Sequence, residues 1–105
     1  MQELTKTEEI IMIAIWKMDK DISLSSLMEV ISYEPRSKAW RPQTISTYFR
    51  KLVDKKYIKM IRKGKEYTYK PLITKEKYRE HQLNNLLHYF FDNDKEMLIN
   101  YAEKL

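Results

Sequence analysis

The sequence has no cysteine, one glycine and three prolines in 105 residues. The missing cysteines exclude a disulfide framework and any cysteine-based zinc or redox site, as suits a reducing compartment. With so few chain-breakers, a mostly helical protein is expected, with its one sharp glycine turn at Gly64. Long apolar runs are also lacking. The longest, Ile10 to Trp16, has seven residues, far below the ~20 needed to cross a bilayer, so no membrane insertion is expected. Glu3, Glu8 and Glu9 precede this run, where a secretory signal would place cations, and the reading is a cytoplasmic protein. The chain is short enough to form one small domain with a docking tail, and it leaves no room for a large catalytic core. No glycine-rich phosphate loop and no cysteine nucleophile is present. His81 and His88, on one helix, stand about 10 Å apart, too far to share a metal within a subunit, and exposed or dimer-face positions suit them better. An enzyme is the weakest functional class, and no metal or cofactor is expected.

What the sequence does have is a localised excess of cations. Residues 1–33 carry 3 basic and 6 acidic side chains, residues 34–70 carry 12 and 3, and residues 71–105 carry 5 and 6. The net charge of +5 is thus a middle third of +9 between ends of −3 and −1. A dense basic stretch suits a phosphate-binding surface, because each cation placed on a phosphate releases a condensed counterion. A solvated basic face is the competing explanation, and the shape of the element that carries the charge decides between them.

Thr5 and Glu8 form a T-x-x-E capping box that starts a helix running to about Met18. Ile11, Ile15 and Met18, widened by Ile10, Ile13 and Trp16, make most of its circumference apolar, so it should be central. Trp16 is read as a core residue, and Met12, Met18 and Met28 as core filler. Ser23 is a good N-cap for a second helix to about Tyr33, with Leu24, Leu27, Met28 and Ile31 on one side, and Ile22 before it is a candidate isolated strand residue. Residues 33–41 read as a loop, because Pro35 disfavours helix at Glu34. Pro42 suits the first position of a third helix, in which Ile45, Phe49 and Leu52 fall at i, i+4 and i+7.

The periodicity then changes to two. Tyr57 to Arg62 and Glu66 to Lys70 flank the turn Lys63-Gly64-Lys65 and spell a β-hairpin ended by Pro71. Ile58 and Met60 share a face, as do Tyr67 and Tyr69. Thr74 should cap a long helix to about Phe91, with Leu83, Leu86, Leu87 and Phe90 in a stripe. Asp92, Asn93 and Asp94 interrupt it and cap a last helix bearing Leu98, Tyr101, Ala102 and Leu105.

Three helices followed by a hairpin is the order of a winged helix-turn-helix domain, whose third helix enters the DNA major groove. The expected fold is therefore mainly α with a small hairpin: a winged helix over residues 1–72 and a helical dimerisation segment over 73–105. With Ile45, Phe49 and Leu52 facing inward, Gln43, Thr44, Ser46, Thr47, Arg50 and Lys51 face outward. Small hydroxyls and an amide followed by cations suit the reading of base edges and the touching of phosphates. Arg36, Lys38 and Arg41 fall in the loop that presents this helix. Lys63 and Lys65 sit at the wing tip, where they can meet phosphate or simply keep an edge hairpin soluble. Leu83, Leu86, Leu87, Phe90, Leu98, Tyr101 and Leu105 form more apolar surface than a tail needs. Cover by a second subunit is favoured over folding back on the same domain.

Three strings resemble the penicillinase repressor family, which includes the β-lactamase and methicillin-resistance repressors. They run from Leu4 to Trp16 (LTKTEEIIMIAIW), from Thr44 to Ile58 (TISTYFRKLVDKKYI) and from Tyr67 to Tyr69 (YTY). Met97 to Ala102 resembles the family's C-terminal helix. The resemblance implies a homodimeric transcriptional repressor that binds a palindromic double-stranded operator and controls β-lactam resistance genes, with Thr44, Ser46, Thr47, Arg50 and Lys51 on the groove-facing helix. It also implies inactivation by a sensor-linked protease at an Asn-Phe bond, whose matching position here is Asn100-Tyr101, tyrosine replacing phenylalanine. Copper-sensing relatives use C-terminal cysteines, which this sequence lacks. The chain stops at Leu105, where known members continue, so either a smaller dimer interface or a shortened form is expected. The competing functional class is a winged helix used for protein–protein contact without sequence-specific DNA binding.

Overall fold

A computed structural model describes residues 1–18, 21–31 and 40–105. The expected end of the second helix beyond Ile31, and the presenting-loop positions Arg36 and Lys38, lie outside the described residues. The chain divides into two compact units, Met1–Thr74 and Lys75–Leu105.

In the first unit, α1 spans Lys6–Trp16 and opens with the full capping box. The Thr5 N–H donates to Glu8 Oε1 at 2.7 Å and the Glu8 N–H to Thr5 Oγ1 at 3.2 Å, so two of the orphan donors of the first turn are satisfied. Ile11, Met12, Ala14 and Ile15 are buried, whereas Trp16, Met18 and Met28 are only half-buried, against the expectation of full core positions. For Trp16 the reason is its polar edge: Nε1 donates to the Ile73 carbonyl at 2.9 Å, which keeps the ring at the rim. The helix stops two residues before Met18, where Lys17 caps it by donating to the Ala14 carbonyl.

The second helix, α2, spans Leu24–Ile31. Ser23 caps it through Oγ, which accepts from the Ser26 N–H at 3.1 Å, while Ser26 Oγ accepts from the Ser23 N–H at 2.9 Å. A serine thus takes the reciprocal role that glutamate plays in α1. Leu27 and Ile31 are buried, with Leu24 and Met28 at the rim.

Pro42 is the first residue of α3, Pro42–Asp54. Ile45, Phe49 and Leu52 are buried as the spacing requires; at about 1.5–3 kcal/mol for each buried side chain, they fix which face of α3 turns inward. The helix ends in a Schellman arrangement, with the Lys56 N–H bonded to the Val53 carbonyl and the Tyr57 N–H to the Leu52 carbonyl, both at 3.0 Å. This places Lys56 in the left-handed region, at φ 69°, where glycine is usual.

Strands β1 (Ile58–Lys63) and β2 (Glu66–Pro71) pair antiparallel, with Lys63 opposite Glu66 and Ile58 opposite Pro71. The turn is the two residues Gly64 and Lys65. Positive φ at Gly64, 66°, with glycine at the first turn position follows the type II′ pattern. The alternation in the sequence puts Lys63 inside the turn and Tyr57 inside the strand. The register instead extends β1 to Lys63, and Tyr57 is buried beneath the helix end with its hydroxyl donating to the Gln2 carbonyl. Pro71 closes β2 from within, at a terminal position that needs no ladder donor. Met60 shares its face with Ile58, yet it is exposed because the hairpin projects beyond the core. Ile22, the candidate isolated strand residue, bridges Tyr69, donating at 3.1 Å and accepting at 2.8 Å, and so adds a stub of third strand to the wing. The Phe49 and Tyr69 rings, 4.3 Å apart, join α3 to β2.

In the second unit α4 spans Lys75–Phe90 and α5 spans Lys95–Glu103. Asp94 caps α5 by accepting from the Met97 N–H at 3.1 Å, and Asp92 and Asn93 take left-handed backbone between the helices, as those residue types tolerate. The rings of Phe91 and Tyr101 meet edge to face at 5.5 Å.

Candidate nucleic-acid interface

With one face of α3 fixed by its three buried residues, the opposite face follows. Gln43, Thr44, Thr47, Arg50 and Lys51 are exposed and Ser46 is half-buried, while Arg41, the N-cap, is exposed and makes no side-chain cap bond. All six outward residues named from the sequence thus share one side of α3, and Arg41 stands at its N-terminus, where helix geometry concentrates partial positive charge. The Thr47 hydroxyl donates to the Gln43 carbonyl at 2.9 Å, which commits its hydrogen to the helix and leaves its lone pairs to accept. Lys51 Nζ lies over the Tyr48 ring, 5.0 Å from its centre, a cation–π contact that limits the reach of this lysine.

An open groove runs beside this face. Along α3 it is lined by Leu24, Pro42, Gln43, Ser46, Thr47 and Arg50, and it continues past Ser46 between Ser23, Ser25, Glu66, Tyr67 and Tyr69. Its walls are hydroxyls, aromatic rings, the Gln43 amide, the Arg50 guanidinium, one carboxylate and the apolar Leu24 and Pro42, set between the start of α2, α3 and the wing. Sequence reasoning identifies the α3 wall but not Ser25, Glu66 or Tyr67, since nothing local places the first turn of α2 against the hairpin. It also misses Arg62, which is exposed, with Nε donating to the Gly64 carbonyl at 3.1 Å and the guanidinium 5.8 Å from the Tyr67 ring centre.

Two cations of the basic segment are engaged elsewhere. Lys55 Nζ lies 2.7 Å from Glu8 Oε1 and also donates to the Glu3 carbonyl at 2.9 Å. Burial pushes the Glu8 carboxyl up, but the Lys55 hydrogen bond, the Thr5 bonds and the Lys55 charge outweigh it and hold the group below its ordinary value. Lys63 Nζ lies 2.7 Å from Asp21 Oδ2, so the wing lysine folds back along the hairpin. Of the two tip lysines expected to meet phosphate, Lys65 is exposed beside Gly64 and Lys63 is ion-paired.

The remaining candidate residues lie in the second unit. Leu83, Leu86, Phe90, Tyr101 and Leu105 are exposed, Phe90 at 76% and Tyr101 at 57%, while Leu87 and Leu98 are half-buried. Asn100 is exposed beside Tyr101 on α5. Among the described residues no helix is long and apolar enough to cross a membrane.

A search of curated proteins finds no significant match. Solved structures similar to this chain include two of the repressor BlaI. One is the solution structure of the DNA-binding domain of the repressor BlaI, 25% identical, covering 72% of this chain and 88% of its own, with a TM-score of 0.59. The other is the Bacillus licheniformis BlaI monomeric form in complex with the blaP half-operator, 25% identical, covering 73% of this chain and 89% of its own, with a TM-score of 0.58. The family model described as penicillinase repressor matches residues 4–105. The helices and the hairpin agree with that match, and the chain belongs to the penicillinase repressor family of winged-helix, DNA-binding transcriptional repressors.

Proposed function

We propose that the protein is a dimeric, cytoplasmic repressor that seats α3 in the major groove of a palindromic operator and rests the wing on the flanking backbone, with β-lactam resistance genes as its targets. The observation that carries this reading is the outward face of α3, where Gln43, Thr44 and Thr47 precede Arg50 and Lys51 beside an open groove. Amide and hydroxyl groups at the helix start suit base edges, and the cations one and two turns later suit phosphates. A related repressor bound to a half-operator supports the same use of the fold.

On this reading residues 1–72 bind DNA and residues 73–105 hold two subunits together. The exposed stripe of Leu83, Leu86, Phe90, Tyr101 and Leu105, with Leu87 and Leu98 at its edge, is the patch a second copy would cover. The two domains would then meet two half-sites related by the dimer dyad. Release would come from a sensor-linked protease at Asn100-Tyr101. Both residues are exposed, and α5 has nine residues and none buried, so local opening of that helix costs little.

The test is binding of the full chain to a duplex recovered from genomic fragments by selection, followed by fluorescence anisotropy across a salt series. Affinity should fall linearly on a log–log plot as salt rises. Absence of duplex binding, or binding indifferent to salt, would favour the protein–protein module instead.

A further inference from the structure

The wing lysine Lys63 is paired with a carboxylate from outside the wing. Glu66 is its direct cross-strand partner in the register, and Asp21, far away in sequence, holds its Nζ at 2.7 Å. The two ends of this ion pair differ in how firmly they are mounted. Asp21 adjoins Ile22, which is fully buried and bonded in both directions to the backbone of Tyr69, so its carboxylate is carried on the frame of the wing itself. Lys63 ends β1 on a long flexible side chain that is 64% exposed, against 37% for Asp21. The carboxyl of Asp21 is held below its ordinary value, first by the Lys63 hydrogen bond and charge, with a smaller contribution from Lys70, so it stays ionised near neutral pH.

We infer that Asp21 is an intramolecular stand-in for a DNA phosphate: it holds Lys63 back in the free protein and gives it up when the wing meets the backbone. The inference rests on the DNA-binding reading above. A solvent-exposed pair of this kind shifts an equilibrium by no more than about fivefold, so a phosphate, bearing the same charge on two free oxygens, can displace the carboxylate. The exchange makes the contribution of Lys63 conditional. A duplex that reaches α3 without seating the wing leaves the lysine on Asp21, and only a seated wing draws it away. Lys65, exposed at the tip, and Arg62, turned toward Gly64, remain outside this arrangement.

The test is a double-mutant cycle read by duplex affinity at low salt, using the full chain in four forms: wild type, Asp21→Asn, Lys63→Met and both together. Asp21→Asn should tighten binding about three- to fivefold, and in the Lys63→Met background the same change should give less than about 1.5-fold. A gain of equal size in both backgrounds would mean that Asp21 merely repels DNA as a bulk charge, and that result overturns the exchange, as does no gain at all. Side-chain NMR of the lysine ammonium groups gives an independent reading: the Lys63 signal should move on addition of duplex to the wild type, and a stationary signal also overturns the proposal. Wild-type protein that binds no duplex overturns the DNA-binding reading and the exchange together, whereas binding without coupling between the two residues overturns the exchange alone.

Discussion

Replacing Glu8 by glutamine removes its charge at nearly constant shape, and the amide oxygen can still accept the Thr5 N–H bond. The 2.7 Å bond from Lys55 loses one formal charge, and hydrogen bonds to charged groups are worth about 1.5–3 kcal/mol. Glu8 is 1% exposed but Lys55 is 24% exposed, so the freed ammonium can turn to water, and the loss should stay below the ~3–5 kcal/mol of a fully buried pair. Glu8 Oε2 is buried without a partner, and an amide nitrogen placed there would bring two unsatisfied donors. A destabilisation of about 2–3 kcal/mol at pH 7 is expected, a large fraction of the margin of a small domain. The pH dependence separates charge from packing. The Glu8 carboxyl is depressed below its ordinary 4.5, so its contribution is complete above that value and is lost as pH falls through the folded-state value. Urea unfolding of wild type and Glu8→Gln between pH 7 and pH 3 should show a gap that is constant down to about pH 5 and narrows below it. A gap of equal size at pH 7 and pH 3 would refute the reasoning and assign the loss to shape alone.

Lys56→Gly should raise stability by about 0.5–1 kcal/mol, since it removes the left-handed penalty of ~1–2 kcal/mol at the end of α3 and returns part of it as chain entropy. Thermal unfolding checks this, and a lowered midpoint would contradict it. Joint replacement of Phe90 and Tyr101 by aspartate should turn a dimer into a monomer of unchanged helix content in sedimentation equilibrium, because both are exposed on the stripe assigned to the partner. A variant that remains dimeric would place the interface elsewhere.

The parts of the fold legible in the sequence are those set by short-range spacing. Ile45, Phe49 and Leu52 fix the buried face of α3 and hence its outward residues, and two alternating runs about Gly64 locate the hairpin. Features that depend on distant partners are not legible. Glu8 reads locally as a capping residue, but its second role, holding Lys55, joins positions 47 residues apart. Lys63 reads as a free tip cation, and its pairing with Asp21 exists only because the bridge between Ile22 and Tyr69 brings the start of α2 against the wing. The same juxtaposition builds the groove wall of Ser25, Glu66 and Tyr67. Segment charge points to the face proposed to meet DNA but overstates it, since Lys55 and Lys63 are both counted in the +9 and both held by carboxylates outside the segment.

The central claim, that α3 meets the DNA backbone through its outward cations, is tested most directly by the salt dependence of Arg50→Ala with Lys51→Ala. Both side chains are exposed and neither belongs to the core, so the variant should keep the wild-type circular dichroism spectrum and unfolding midpoint. Its log–log salt slope should be shallower than that of the wild type by about 0.9 for each phosphate the protein no longer neutralises, with affinity reduced across all duplexes. A folded variant with an unchanged slope and affinity would contradict the account.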